Sequence, residues 1–167
     1  MRFKHNRLNT MRIGATLCVL ALACTAAHAE TLAYRTRAGM DVTVVKKSNI
    51  GTTHAKILTR HTRANATAYC RDYVGKVTAR CIADELKVKL LPEISANCKT
   101  GQFITLYGQG YRFLGANPDY DADGDTAEYT QYRIVEAGGG EPLKGYSATG
   151  YDVALGQFEA LCPNRAR

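Results

Sequence analysis

The stretch ISANCKTGQFITLYGQGYRFL, residues 94–114, decides the fold. It divides at its glycines into residues 94–98, a turn at Lys99-Thr100-Gly101, residues 102–107, and Gly108-Gln109-Gly110 leading into Tyr111-Arg112-Phe113-Leu114. Short runs rich in β-branched and aromatic residues between glycine-bearing turns read as antiparallel strands of a meander.

Upstream, Leu91-Pro92 ends the preceding element. Ile82 and Leu86 suit a helix over residues 77–86, whereas Leu86-Lys87-Val88-Lys89-Leu90 alternates like a strand, and period alone does not separate the two. Residues 65–74 are alanine-rich and end at Gly75, which predicts a short helix with Thr62 or Asn65 near its start. Earlier still, Met40-Asp41-Val42-Thr43-Val44-Val45 and Ala55-Lys56-Ile57-Leu58-Thr59 flank the turn Ser48-Asn49-Ile50-Gly51, the pattern of a β-hairpin. Downstream, residues 129–136 read as a strand closed by Gly138-Gly139-Gly140. Val153, Ala154, Phe158, Leu161 and Cys162 recur at helical spacing and predict a helix packed on the sheet and stopped by Pro163. The expected fold class is α+β: one domain, an antiparallel sheet or meander with two or three short helices.

At the N-terminus Arg2, Lys4, Arg7 and Arg12 precede an apolar run of about eleven residues, Ile13-Gly14-Ala15-Thr16-Leu17-Cys18-Val19-Leu20-Ala21-Leu22-Ala23. The run falls short of the ~20 residues a membrane-spanning helix needs, and Ala27-His28-Ala29 has the A-x-A form of an export cleavage site. Cleavage is expected after Ala29, giving a signal peptide over residues 1–29 and a single disulfide-stabilised domain over residues 30–167. A start at Met11 in place of Met1 shortens the leader without changing this. Lipidation of Cys24, which follows Ala21-Leu22-Ala23, is the alternative and would anchor the chain to a membrane face. The expected location is periplasmic or extracellular, with no transmembrane segment after the leader.

The whole chain has 22 basic and 15 acidic residues, a net charge of +7. Four of the basic residues and none of the acidic ones lie in the leader, so residues 30–167 carry +3. That balance argues against nucleic acid as a partner. It is also uneven, since residues 30–112 sum to +8 and residues 113–167 to −5.

After the leader four cysteines remain, Cys70, Cys81, Cys98 and Cys162. An even number in an exported chain reads as disulfides, with three possible connectivities. A straight helix over residues 70–81 would hold its two cysteines about 16 Å apart, well beyond disulfide reach. Either Gly75 breaks the chain into a helical hairpin and Cys70 pairs with Cys81, or both pair elsewhere. The expected set is Cys70–Cys81 and Cys98–Cys162. No C-x-x-C occurs, and His54 and His61 lack zinc-type spacing.

Three stretches carry a resemblance: His61-Thr62-Arg63-Ala64-Asn65-Ala66 through Tyr69-Cys70-Arg71-Asp72-Tyr73-Val74-Gly75; Ala96-Asn97-Cys98-Lys99-Thr100-Gly101; and Ser147-Ala148-Thr149-Gly150-Tyr151 through Ala160-Leu161-Cys162-Pro163. In these the chain resembles uncharacterised small exported proteins of Gram-negative bacteria. The resemblance implies a shared fold and export, and no activity.

Among motifs that could carry chemistry, Asp119-Tyr120-Asp121-Ala122-Asp123-Gly124-Asp125 matches the D-x-D-x-D-G half of a calcium loop, so Asp119, Asp121, Asp123 and Asp125 are candidate Ca²⁺ ligands. The twelfth position is Thr130 where a bidentate Glu would close the cage, and the same residues suit a solvated acidic turn. Lys46, Lys47, Arg60 and Arg63, with Lys56, Arg71, Lys76 and Arg80, form a basic stretch suited to an anionic envelope glycan or an acidic protein. Tyr107, Tyr111, Tyr129 and Tyr132 offer faces for sugars or serve as cross-strand core. Gly145-Tyr146-Ser147-Ala148-Thr149-Gly150 misses the G-x-S-x-G elbow by one residue, and no catalytic residue is singled out. The expectation is an exported non-catalytic binding or inhibitory module of the cell envelope. The alternatives are a small envelope hydrolase using His54 or His61 with a carboxylate, and a calcium-stabilised structural envelope protein.

Overall fold

The computed structural model describes residues 29–120, 130–145 and 150–166. The expected leader up to His28, the calcium-loop positions Asp121, Asp123 and Asp125, Tyr129 and Ser147 lie outside the described residues.

Among the described residues seven strands form one antiparallel sheet in chain order: β1 (Thr31–Ala33), β2 (Asp41–Ser48), β3 (Ala55–Arg60), β4 (Glu93–Asn97), β5 (Gln102–Ile104), β6 (Gly110–Ala116) and β7 (Tyr132–Glu136). A helical pair, α1 (Arg63–Asp72) and α2 (Ala79–Glu85), interrupts the meander between β3 and β4, and α3 (Tyr151–Leu161) follows β7. The fold is a single-domain α+β arrangement.

Strand periodicity builds the core. On β3, Ala55, Ile57 and Thr59 are buried while Lys56, Leu58 and Arg60 face out. Ile94, Phe103, Tyr111, Phe113 and Ile134 extend the same inner face across the sheet. Ala154, Phe158 and Leu161 form the apolar stripe of α3. Phe158 stacks on Phe113 with ring centroids 4.4 Å apart and tilts against Phe103 at 5.1 Å. Because α3 touches β1 and β7, the two edges, as well as β3 and β4, the sheet curls around it.

The helical pair is set by its caps and one glycine. The Thr62 hydroxyl accepts from the Asn65 N–H, and the Asn65 side chain accepts from the Thr62 N–H, a reciprocal box at the start of α1. At α2 the Thr78 hydroxyl alone provides the cap, accepting from the Cys81 N–H. Between them Gly75 adopts φ +73°, a left-handed conformation that turns the chain back. That brings the Cα atoms of Cys70 and Cys81 to 6.1 Å, and the two are bridged. A second bridge joins Cys98 to Cys162, tying the end of β4 to the end of α3. Two disulfides mark a chain that folds outside the reducing cytoplasm. Among the described residues no helix is long and apolar enough to cross a membrane.

Two segments depart from the local reading. Residues 102–107 were expected as one strand, yet β5 stops at Ile104 because the Thr105 N–H turns to the Gln109 carbonyl and the Leu106 N–H donates to the Gln157 side chain of α3. Residues 86–90 are neither helix nor strand. There Val88 and Leu90 pack on the main core, and the Leu91 N–H is taken by the Leu106 carbonyl.

Candidate functional site

In an antiparallel meander the odd strands run the same way, so the C-terminal ends of β1, β5 and β7 meet at one end of the curled sheet. There a pocket of about 570 Å³ opens, within the usual range for a small-molecule site. Its walls come from the β1–β2 loop (Tyr34, Arg35, Arg37), the turn after β5 (Tyr107, Gln109), β6 and β7 (Tyr111, Glu136), the end of α1 (Tyr73) and the first turn of α3.

The β1–β2 loop is pinned by close packing. Gly39, at φ +73°, sits so near α1 that a Cβ would lie 2.7 Å from the Ala68 backbone. The Tyr34 N–H bonds the Met40 carbonyl at 3.0 Å, closing the loop. Arg35 and Arg37 stand on the rim of the pocket, on the exposed part of this loop. The Arg35 guanidinium lies 5.6 Å from the centre of the Tyr107 ring, and that of Arg37 lies 5.9 Å from the centre of Tyr73. Tyr73 in turn stacks on Tyr69 at 5.6 Å. Deeper in, the Tyr111 hydroxyl donates to Gln109 Oε1 at 3.1 Å. Burial, with the nearby negative charge of Glu136 adding to it, holds the Tyr111 phenol above its ordinary pKa. Gln157 is buried and spent on structure, accepting from the Leu106 N–H and donating to the Ala33 carbonyl at 2.8 Å.

Behind the pocket wall lies a second polar cluster. The buried Tyr34 hydroxyl donates to Glu85 Oε1, and His61 Nε2 stands 3.7 Å from the same oxygen. That separation is within ion-pair range and too long for a hydrogen bond, and both His61 ring nitrogens are buried without a hydrogen-bond partner among the described residues. Burial lowers the His61 pKa, with Glu85 opposing, while burial and then the Glu85 bond raise that of Tyr34. The imidazole is accordingly neutral at pH 7. The His61 ring also tilts against Tyr34 at 5.6 Å, and Tyr34 meets Tyr107 edge-on at 6.3 Å. His61 borders a smaller cleft of about 350 Å³, walled mainly by apolar side chains such as Val45, Leu58 and Leu91.

The basic residues singled out from sequence stand away from the pocket. Lys46 pairs in register with Leu58, and Arg60 lies two residues on, so Lys46 and Arg60 share the outer face of the β2–β3 pair. Lys47 points to the opposite face and is bonded to Glu30; Arg63 opens α1 and is exposed. Of the expected tyrosines, Tyr107 and Tyr111 line the pocket, while Tyr132 packs on Phe113 at 5.5 Å. Asp119 is exposed and its N–H donates to Asn117 Oδ1 at 3.2 Å. His54 is exposed in the β2–β3 turn, its Nδ1 2.8 Å from the Thr53 hydroxyl. Sequence reading passed over Tyr34, Arg35, Arg37, Tyr73, Glu85 and Glu136. The one local signal was Tyr34-Arg35-Thr36-Arg37, two cations beside an aromatic just before Gly39.

No protein-family model, curated protein or solved structure matches the chain.

Proposed function

We propose that this chain is an exported, non-catalytic binding module of the cell envelope whose ligand is an anionic saccharide seated in the pocket at the end of the sheet. The supporting observation is that Arg35 and Arg37 each lie over a tyrosine ring and, among the described residues, neither is ion-paired. A guanidinium held over an aromatic face keeps its N–H fork available for phosphate or carboxylate. The tyrosine faces offer flat apolar surface to a sugar ring. The two disulfides and the A-x-A leader support export to the periplasm or beyond.

A hydrolase built on His61 is less well supported, because its ring nitrogens are buried and its neighbouring carboxylate is engaged by Tyr34. The test is titration of the ¹⁵N-labelled protein, residues 30–167, with glucose 6-phosphate and glucuronate. Saturable shifts are expected around Arg35, Arg37 and Tyr107, and they disappear in the Arg35→Ala/Arg37→Ala variant. Shifts that fail to saturate, or that survive in the double variant, refute the reading.

A further inference from the structure

The pocket contains charge of both signs that does not meet. Arg35 and Arg37 stand on the β1–β2 loop and Glu136 at the end of β7, on strands that form opposite edges of the sheet. Among the described residues none of the three makes an ion pair, although all line one cavity of about 570 Å³. Opposite charges lining a common small space, the cations over tyrosine rings and none of them ion-paired among the described residues, present a dipole. The ligand that complements it carries its own charges in the reverse order.

From this arrangement we infer that the pocket selects a ring-bearing zwitterion, an amino sugar with a free ammonium and a phosphate, the phosphate at Arg35 and Arg37 and the ammonium at Glu136. The inference rests on the anionic-saccharide reading above and adds the cationic half of the ligand. Tyr111 lines the same cavity: it is buried, it is the cross-strand partner of Glu136, and its hydroxyl is held by Gln109. A hexose ring whose ammonium reaches Glu136 would lie near that side chain. Two charged ends also exclude mismatched ligands, since a second anionic group placed at Glu136 would be repelled.

Calorimetric titration with glucosamine 6-phosphate, glucose 6-phosphate and glucosamine tests this with three commercial probes. Glucosamine 6-phosphate is expected to bind about tenfold more tightly than glucose 6-phosphate, and glucosamine alone most weakly, as one added charge-assisted contact implies. Glu136→Gln, a change at an exposed position, is expected to bring the ratio of the two phosphates close to one. Equal affinity of the unaltered protein for the two phosphates overturns the inference and leaves the anion-binding reading standing. A tenfold preference that persists in Glu136→Gln overturns the assignment of the ammonium to that residue. Absence of heat with all three probes overturns both readings.

Discussion

Tyr34 belongs at once to the pocket and to the core, with its ring at the cavity wall and its hydroxyl donating to Glu85 beneath it. Tyr34→Phe removes the donor and leaves a buried carboxyl short of a partner, a change that costs about 1–3 kcal/mol. Urea unfolding at pH 7 measures it, and a loss much smaller than that would mean solvent already serves Glu85. His61 makes the complementary point about pH. Burial depresses its pKa in the folded state, so between the ordinary value near 6.5 and the lowered one the unfolded chain binds more protons. Stability contributed by the neutral ring is therefore complete above about pH 6.5 and declines as pH falls toward the folded value. The unfolding midpoint should drop between pH 7.5 and pH 5, and His61→Gln should flatten that slope. An unchanged slope in the variant would assign the acid sensitivity to other groups.

Among the elements, the α1–α2 hairpin depends most on covalent help. Its own core is only Ala66, Cys70 and Ile82, with Tyr69 and Cys81 at the margin, and α2 has just seven residues. So short a helix is unstable alone. The Cys70–Cys81 bridge closes a separation of 11 residues and contributes about 3 kcal/mol in the chain-entropy account. Cys70→Ala/Cys81→Ala should lower stability by about that amount, with amide exchange accelerating first in α2, which carries Glu85. Uniform acceleration across the sheet would instead show that hairpin and meander open together. The β1–β2 loop offers a second test of element-level packing. Gly39→Ala forces a left-handed residue against the Ala68 backbone and should cost about 2 kcal/mol or more, read as a lower thermal midpoint. Since this loop carries Arg35 and Arg37, binding of glucose 6-phosphate should weaken in the same variant.

At the scale of the whole molecule, sequence order and spatial order coincide in the sheet, which is why the meander was legible: each strand pairs with the next, and turn residues mark the junctions. The stripe of α3 was legible for the same reason, being a local periodicity. The pocket was not. Tyr34, Tyr107 and Glu136 meet only because the sheet curls until both edges face α3, and no local pattern encodes that curl. The lysines of β2 drew attention as a run of charge, yet strand alternation sends Lys46 and Lys47 to opposite faces. What closes the curl is the aromatic contact of α3, above all Phe158, fully buried between Phe103 and Phe113. Phe158→Ala should therefore cost about 3–5 kcal/mol through the lost burial and the cavity left behind. Leu58→Ala, on the outer face at 38 % exposure, should cost under about 1 kcal/mol. Because the two residues belong to the same sheet-and-helix body, the contrast isolates the inner face as the source of stability. Guanidinium unfolding of both variants measures it, and comparable losses would show that the outer face is covered by something other than solvent.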